Sequence, residues 1–508
     1  MVYKLPQALA VALAVLLGAC TLEPHYHRPE PPVPPLSAGA QGQGAQAAAD
    51  TGWREFFPDP QLQELIALAL ANNRDLRVAV LNVGSAQARY RVQRAELFPT
   101  IAATGTEQVE RFPSGVFSFG GGGAAAGSST TPVVGGGTIF RFFNAGVGFT
   151  NYELDVFGRI RSLDHAALQQ YFNSVETRRS VQLTLVAEVA NAYLAVLADQ
   201  TLLDITRDTL KSQDESYALT QRMFGAGTTT ELALSQAETT VDTARANLAQ
   251  YNRQIAEDRD ALQLLLGAPI PDDVDFSLGL DRGPAVAELE EGIPSDVLVR
   301  RPDVLAAEHQ LQAANAQIGA ARAAFFPSVT LTGTYGTASS QLTGLFKSGS
   351  QAWTFSPQIS LPIFAGGANV ANLQATKLAR DTAVAQYEKA IQTAFREVAD
   401  GLAARGTLDD QLAAQQALLT ASARAYRLAD MRYRGGVDSY LAALDAQRSL
   451  YTAQQQLQGV RLLRLQNLVT LYKALGGGLL ERTPTAQTAP QPATSEGSIA
   501  PRGSPASN

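Results

Sequence analysis

The chain has 508 residues, 45% of them apolar and 17% charged, with a formal charge of −7 and a pI near 5.3. This balance can bury a large core and is not that of a disordered polyelectrolyte, and it lacks the basic face a nucleic-acid binder needs for phosphates. A single Cys excludes an internal disulfide, a Cys-based zinc site and an iron–sulfur cluster, and four His leave little for a histidine-based active site, so most enzyme classes are already disfavoured.

Residues 1–19 read as a secretory signal, with Lys4 as the positive end and Leu9 to Leu17 as an apolar core too short to span a bilayer comfortably. The core ends in Leu17-Gly18-Ala19-Cys20, which looks like a bacterial lipobox. Cys20 is therefore the expected lipidation site, carrying diacylglycerol and an N-acyl chain; the alternative is ordinary cleavage after Ala19 with Cys20 left as a free thiol. Thr21 follows, where an Asp would have resembled an inner-membrane retention signal. Residues 20–52, rich in Pro and then in Ala, Gln and Gly, read as an extended tether.

Two gapless internal repeats set the organisation of the rest. Asp75 to Thr106 aligns on Asp303 to Thr334, sharing Phe98-Pro99/Phe326-Pro327 and Thr104-Gly105-Thr106/Thr332-Gly333-Thr334. Phe224 to Gly267 aligns on Tyr433 to Gly476, sharing Gly227/Gly436, Leu232/Leu441 and Leu266-Gly267/Leu475-Gly476. The chain is read as tandem halves, 53–283 and 284–483, followed by a disordered tail, 484–508.

Each half has the same predicted order. A helix (about 61–95, then about 295–323) ends at Phe-Pro, and a strand follows, Thr100 to Gln108 and Ser328 to Thr337, in which Thr or Gly alternates with apolar residues. After a loop, Gly-rich over 115–137 in the first half and shorter in the second, comes a second strand, about Phe143 to Leu154 and Thr354 to Pro362. A long helix then runs from about Leu163 to Phe224 and from about Ala371 to Tyr433, turns at glycine, and returns as a helix of about 40 residues. No Pro lies between Pro132 and Pro269 or between Pro362 and Pro484, which permits these lengths. A coiled-coil rod would explain the helices but not two strands per half. Four strands cannot close a barrel in lipid, whereas three copies would supply enough.

On this frame the sequence resembles the outer membrane factor family, the TolC/OprM type of efflux exit duct, in its NodT-like lipoprotein branch. The resemblance rests on the lipobox, Trp53-Arg54-Glu55-Phe56-Phe57-Pro58-Asp59-Pro60, Ala71-Asn72-Asn73-Arg74-Asp75-Leu76, Arg300-Arg301-Pro302-Asp303 with Ala307-Glu308, Phe325-Phe326-Pro327-Ser328, and Arg434-Gly435-Gly436-Val437-Asp438 running into Leu444-Asp445-Ala446-Gln447. It implies an α+β membrane protein whose duplicated strand-strand and long antiparallel helix-pair halves form, as a homotrimer, a twelve-stranded outer-membrane β-barrel on an α-helical periplasmic tunnel. It also implies coupling to a periplasmic adaptor and an inner-membrane pump of RND type, with no enzymatic activity, cofactor, metal or nucleic acid.

By the same resemblance the periplasmic gate falls on Asp445 and Leu441, with Tyr433 and Arg448 as nearby lock residues. The adaptor-docking tips fall on Gly225, Gly227 and Thr228 and on Gly435, Gly436 and Val437. Leu441, Asp445 and Arg448 lie near one helix face, and threefold symmetry would make each a ring in which carboxylates repel one another and attract cations. The plain alternative is a solvated Asp445–Arg448 pair and two ordinary hairpin loops. The first-half equivalents are Leu232, Gln236 and Thr239, so the charges belong to one helix pair only, and Ala442 stands where some relatives carry a second aspartate. Asp303 reads as a first-turn carboxylate or cap. Rival functions are a lipid-anchored coiled-coil or adhesin-like envelope protein and a peptidoglycan-acting enzyme. The strand pairs and the duplication count against the first, and the lack of a catalytic motif against the second.

Overall fold

The computed structural model describes residues 21–33, 50–112, 138–280 and 299–483. The signal segment, Cys20, most of the tether, the Gly-rich loop, the join between the halves and the tail lie outside the described residues.

After an extended segment, residues 21–33, the chain forms α1 (Trp53–Phe56), α2 (Pro60–Asn72) and α3 (Arg74–Ala95). The single helix expected over 61–95 is thus two. The break is at Asn73, which leaves helical geometry (φ −58, ψ 133) and serves both sides. Its Nδ2 donates to Leu265 O at 2.9 Å, and its Oδ1 accepts from Leu76 N at 2.8 Å, capping α3. At the other end of α2, Asp59 accepts from Gln61 N beside Pro60 at the first helical position, a strong start signal.

Strands β1 (Ile101–Phe112) and β2 (Thr138–Leu154) follow, then α4 (Arg159–Gly225) and α5 (Glu231–Leu266). The second half gives α6 (Pro302–Ala323), β3 (Ser328–Ser339), β4 (Gln351–Ser360), α7 (Ala368–Arg434) and α8 (Tyr440–Ala474). The order strand, strand, long helix, returning helix is repeated, and α4 and α7 each have 67 residues. Both helix-to-strand corners close alike, with Phe98 N donating to Ala95 O and Phe326 N to Ala323 O, each at 3.0 Å. Asp303 sits in the first turn of α6 and accepts from Val304 N at 3.0 Å.

Two compact units divide the described chain: 21–33, 78–112, 138–178 and 302–393 in one, and 50–77, 179–280, 299–301 and 394–483 in the other. Each takes a share of both sequence halves.

The first unit holds one antiparallel sheet in the order β1-β2-β3-β4. Its register separates two faces. Ala103, Val147, Tyr335 and Trp353 form one rung, and Ile101, Phe149, Gly333 and Phe355 the next; Leu331, Pro357, Val329 and Ile359 continue the same face. The opposite face carries Ala102, Gly148, Thr334 and Thr354, then Thr104, Gly146, Gly336 and Ala352. An aromatic and aliphatic face backed by a small, polar one is the alternation of a barrel with lipid outside and water inside. Trp353 is 74% exposed within the single chain. Among the described residues, β1 and β4 each have only one neighbour, so both edges of the sheet are open there.

The second unit holds the larger apolar core. Phe56 and Phe57 are fully buried, and Phe56 stacks on Tyr472 at 3.8 Å between ring centroids. Leu62, Leu65 and Ile66 of α2 are also fully buried. The apolar stretch of α4, long enough to pass for a membrane helix, is mostly buried, which accounts for Leu183, Val186, Val189, Leu194 and Leu197 as core residues. Removing the Phe56 ring (Phe56→Ala) should cost about 3–5 kcal/mol through lost contacts and a cavity. It would be read as a lowered melting temperature of the purified protein.

Candidate gate and docking turns

The paired helices run antiparallel. Asp409 and Gln415 of α7 meet Arg464 and Gln456 of α8 in reverse order, at 2.6 and 2.7 Å, and Arg245 of α5 reaches Asp214 of α4 at 3.4 Å. Hydroxyl contacts tie α4 to the second pair: Thr206 to Tyr451 at 2.9 Å, Ser212 to Tyr426 at 3.0 Å and Thr220 to Tyr433 at 3.2 Å.

The two glycine turns are copies of each other. In the first, Gly227 N donates to Phe224 O and Thr228 N to Met223 O, both at 2.9 Å; in the second, Gly436 N donates to Tyr433 O and Val437 N to Arg432 O, both at 2.9 Å. This pair of bonds is the Schellman closure of a helix, which needs a left-handed residue just past the end. Gly227 supplies it at φ +73 and Gly436 at φ +71. A Cβ at either would meet nothing within 4 Å, so both turns present open backbone. Gly225 and Gly435 sit in or next to the last helical turn with φ in the ordinary range.

Beyond the turns the copies differ. The first continues through Thr230, whose side chain accepts from Ala233 N at 3.3 Å and caps α5. The second is clasped by charge, with Arg432 donating to both oxygens of Asp438 at 2.5 and 3.0 Å. That hydrogen bond holds the Asp438 carboxyl below its ordinary range. Arg434 folds back onto Asp430 at 2.9 Å. The clasp is absent from the sequence-level site, although two arginines flanked by Asp430 and Asp438 were its visible signal.

Of the four expected gate residues, three share a surface. Leu441, Asp445 and Arg448 are exposed on one face of α8, while Ala443, Leu444 and Gln447 are buried on the opposite one. Asp445 has no hydrogen-bond or ion-pair partner among the described residues, so the solvated pair with Arg448 is not formed within one chain. Tyr433 lies elsewhere, buried in a cluster with Ala237, Tyr440, Ala443 and Leu444. Its ring is tilted on that of Tyr440 at 5.3 Å. It braces the helix pairs and does not join the exposed face. In the first half Leu232 is 67% exposed, matching Leu441, while Gln236 and Thr239 bring no charge. Cys20 lies outside the described residues.

The family model for outer membrane efflux proteins matches residues 65–268 and 293–477. A toluene efflux pump outer membrane protein of Pseudomonas putida, TtgC, is 49% identical over 475 residues, covering 92% of this chain and 95% of that protein. An antibiotic efflux pump outer membrane protein of Pseudomonas putida, ArpC, is 49% identical over the same extent. Among solved structures, the open state of the Neisseria gonorrhoeae MtrE outer membrane channel superposes with a TM-score of 0.80 at 40% identity, covering 92% of this chain and all of that one. The fold is thus that of an outer-membrane efflux channel, with a membrane sheet and long tunnel helices, and the protein resides in the outer membrane and extends into the periplasm. The matches span both helix pairs and all four strands, and the chain belongs to the outer membrane efflux protein family.

Proposed function

We propose that three copies of this chain form the exit duct of a tripartite efflux system, passively releasing small molecules that an inner-membrane pump delivers through a periplasmic adaptor. The observation that carries this reading is the open four-stranded sheet. Two unpaired edges and an exposed aromatic face are untenable in lipid for one chain, and edge-to-edge pairing of three copies gives a closed twelve-stranded barrel. The aperture at the periplasmic end is a ring of Leu441 and Asp445 with Arg448 beside it, and Tyr433 braces the helices that move. The turns at Gly225-Ala226-Gly227-Thr228 and Arg434-Gly435-Gly436-Val437 dock the adaptor. Cys20 carries the lipid anchor. The pump is of RND type, and the cargo is drug- or solvent-like, in keeping with the antibiotic and toluene pumps named for the two relatives.

Purified protein should migrate as a heat-modifiable trimer and conduct ions across a planar bilayer. A Cys20→Ala protein that is monomeric and soluble without detergent, with no conductance, would contradict the duct.

A further inference from the structure

The extended segment 21–33 is held by specific polar contacts along α4 and α6. Arg28 grips Glu308 with two bonds, Nε to Oε1 at 2.8 Å and Nη2 to Oε2 at 2.6 Å, and Tyr26 OH donates to the same carboxylate at 3.0 Å. Asn315 Nδ2 donates to Pro24 O at 2.7 Å, and Arg322 to Leu22 O at 3.0 Å. The arm passes close over α6 at Gly319, where a Cβ would stand 2.9 Å from Glu23 Cα.

Beside this seat lies a chain of four side chains. Glu23 of the arm contacts Nδ1 of His165 on α4 at 3.0 Å. His165 Nε2 meets Gln169 Nε2 at 3.0 Å, and Gln169 Oε1 meets Nδ1 of His309 on α6 at 2.7 Å. Only four histidines occur in the sequence. The other two, His25 and His27, flank Tyr26 on the arm and are exposed.

We propose that Glu23, His165, Gln169 and His309 form a protonation-linked latch that holds the N-terminal arm on α4 and α6. The reason is the donor count of one amide. An imidazolium donates from both ring nitrogens, a neutral ring donates from one and accepts at the other, and Gln169 offers one acceptor oxygen and one donor nitrogen. In the structure the amide nitrogen faces His165 and Oε1 faces His309, the arrangement that suits a neutral His165. When His165 is charged, the amide turns over so that Oε1 accepts from it and the nitrogen donates to a neutral His309. When His309 is charged, Oε1 must face His309, and His165 must be neutral to accept the amide N–H. Gln169 therefore serves one imidazolium at a time. A charged His165 grips Glu23 most firmly, because a charge-assisted bond is stronger than a neutral one.

The surroundings favour that assignment. The hydrogen bond that His165 donates to Glu23 raises its pKa above 6.5, with burial opposing and Asp164 assisting. Arg94 of α3 acts on Asp164. Burial lowers the pKa of His309 below 6.5, against the pull of Glu176 and Glu308. Glu308 is already engaged by Arg28 and Tyr26, with Tyr387 of α7 adjacent. The signs follow. The hold due to His165 is complete below pH 6.5 and is lost as pH rises through its raised value. Neutrality of His309 is secure above 6.5 and is lost as pH falls through its lowered value. The arm is held most firmly between the two.

Hydrogen exchange of the 21–33 peptide, measured by mass spectrometry on the purified full-length protein and corrected for intrinsic base catalysis, tests this. Protection should peak near neutral pH and weaken about three-fold or more by about pH 9. In His165→Gln and in Glu23→Gln the alkaline loss should vanish, with protection at neutral pH already reduced to the alkaline level of the parent. Arg28→Ala, which removes both bonds to Glu308 and leaves the histidines in place, marks a released level reached independently of the latch. An unchanged parent profile between about pH 6 and about pH 9, or an alkaline loss that persists in His165→Gln, would overturn the latch. The parent profile needs no substitution, so a variant that failed to assemble would leave the test decisive.

Discussion

If the proposed gate is right, Asp445→Ala is expected to raise the single-channel conductance of reconstituted trimers by about two-fold or more, because it would remove the charged ring that the proposal places at the periplasmic aperture. The side chain is exposed on α8 one turn from Leu441, and no partner among the described residues holds it. Its replacement therefore leaves no buried group unsatisfied, and the helix pair should keep its packing through Tyr433, Tyr440 and Leu444. The same variant should admit large antibiotics from outside and sensitise cells to them. Arg448→Ala on the same face separates charge from bulk: a ring acting through negative charge alone should tighten for anions when the neighbouring arginine is removed. Conductance equal to that of the parent in Asp445→Ala would sink the gate assignment while leaving the duct itself standing.

The second large effect is expected at the turns. Replacing Gly436 or Gly227 with Trp should abolish efflux, returning cells to the susceptibility of a deletion strain, while heat-modifiable trimers persist. Both glycines hold the left-handed conformation, which costs other L-residues about 1–2 kcal/mol, and both face open space, so a large side chain there projects outward from the turn. Gly436→Asn separates strain from bulk, because asparagine tolerates that conformation and adds little volume. It should retain most efflux. Loss of trimers in the Trp variants would show that the turns serve folding and not docking.

Much of the architecture was legible from the residues. The proline-free windows and the glycine punctuation placed α4 and α7 within a few residues of their ends, because backbone hydrogen bonding and the missing donor of proline are local. The gapless repeats foretold two turns of one geometry, and the closures at Gly227 and Gly436 are bond for bond alike. The strands were read from alternation but came out longer at their outer ends: β1 reaches Phe112 and β2 starts at Thr138. There alternation fades, since cross-strand pairing and not burial sustains them. The break at Asn73 went unread because its second bond, to Leu265, comes from a distant helix.

At the candidate site the split was similar. Spacing alone put Leu441, Asp445 and Arg448 on one face, because a helix repeats every 3.6 residues. Whether that face is buried, and that Tyr433 turns away from it into the cluster around Tyr440, required packing between helices far apart in sequence. The same holds for the arm. His165 lies 142 positions from Glu23, and His309 lies 140 from Gln169, so no local pattern joins them. Sequence determined the elements, their duplication and the chemistry each carries, all of which follow from local geometry and composition. Tertiary structure alone decided which side chains meet, because burial, register and hydrogen-bond partners depend on how the elements pack.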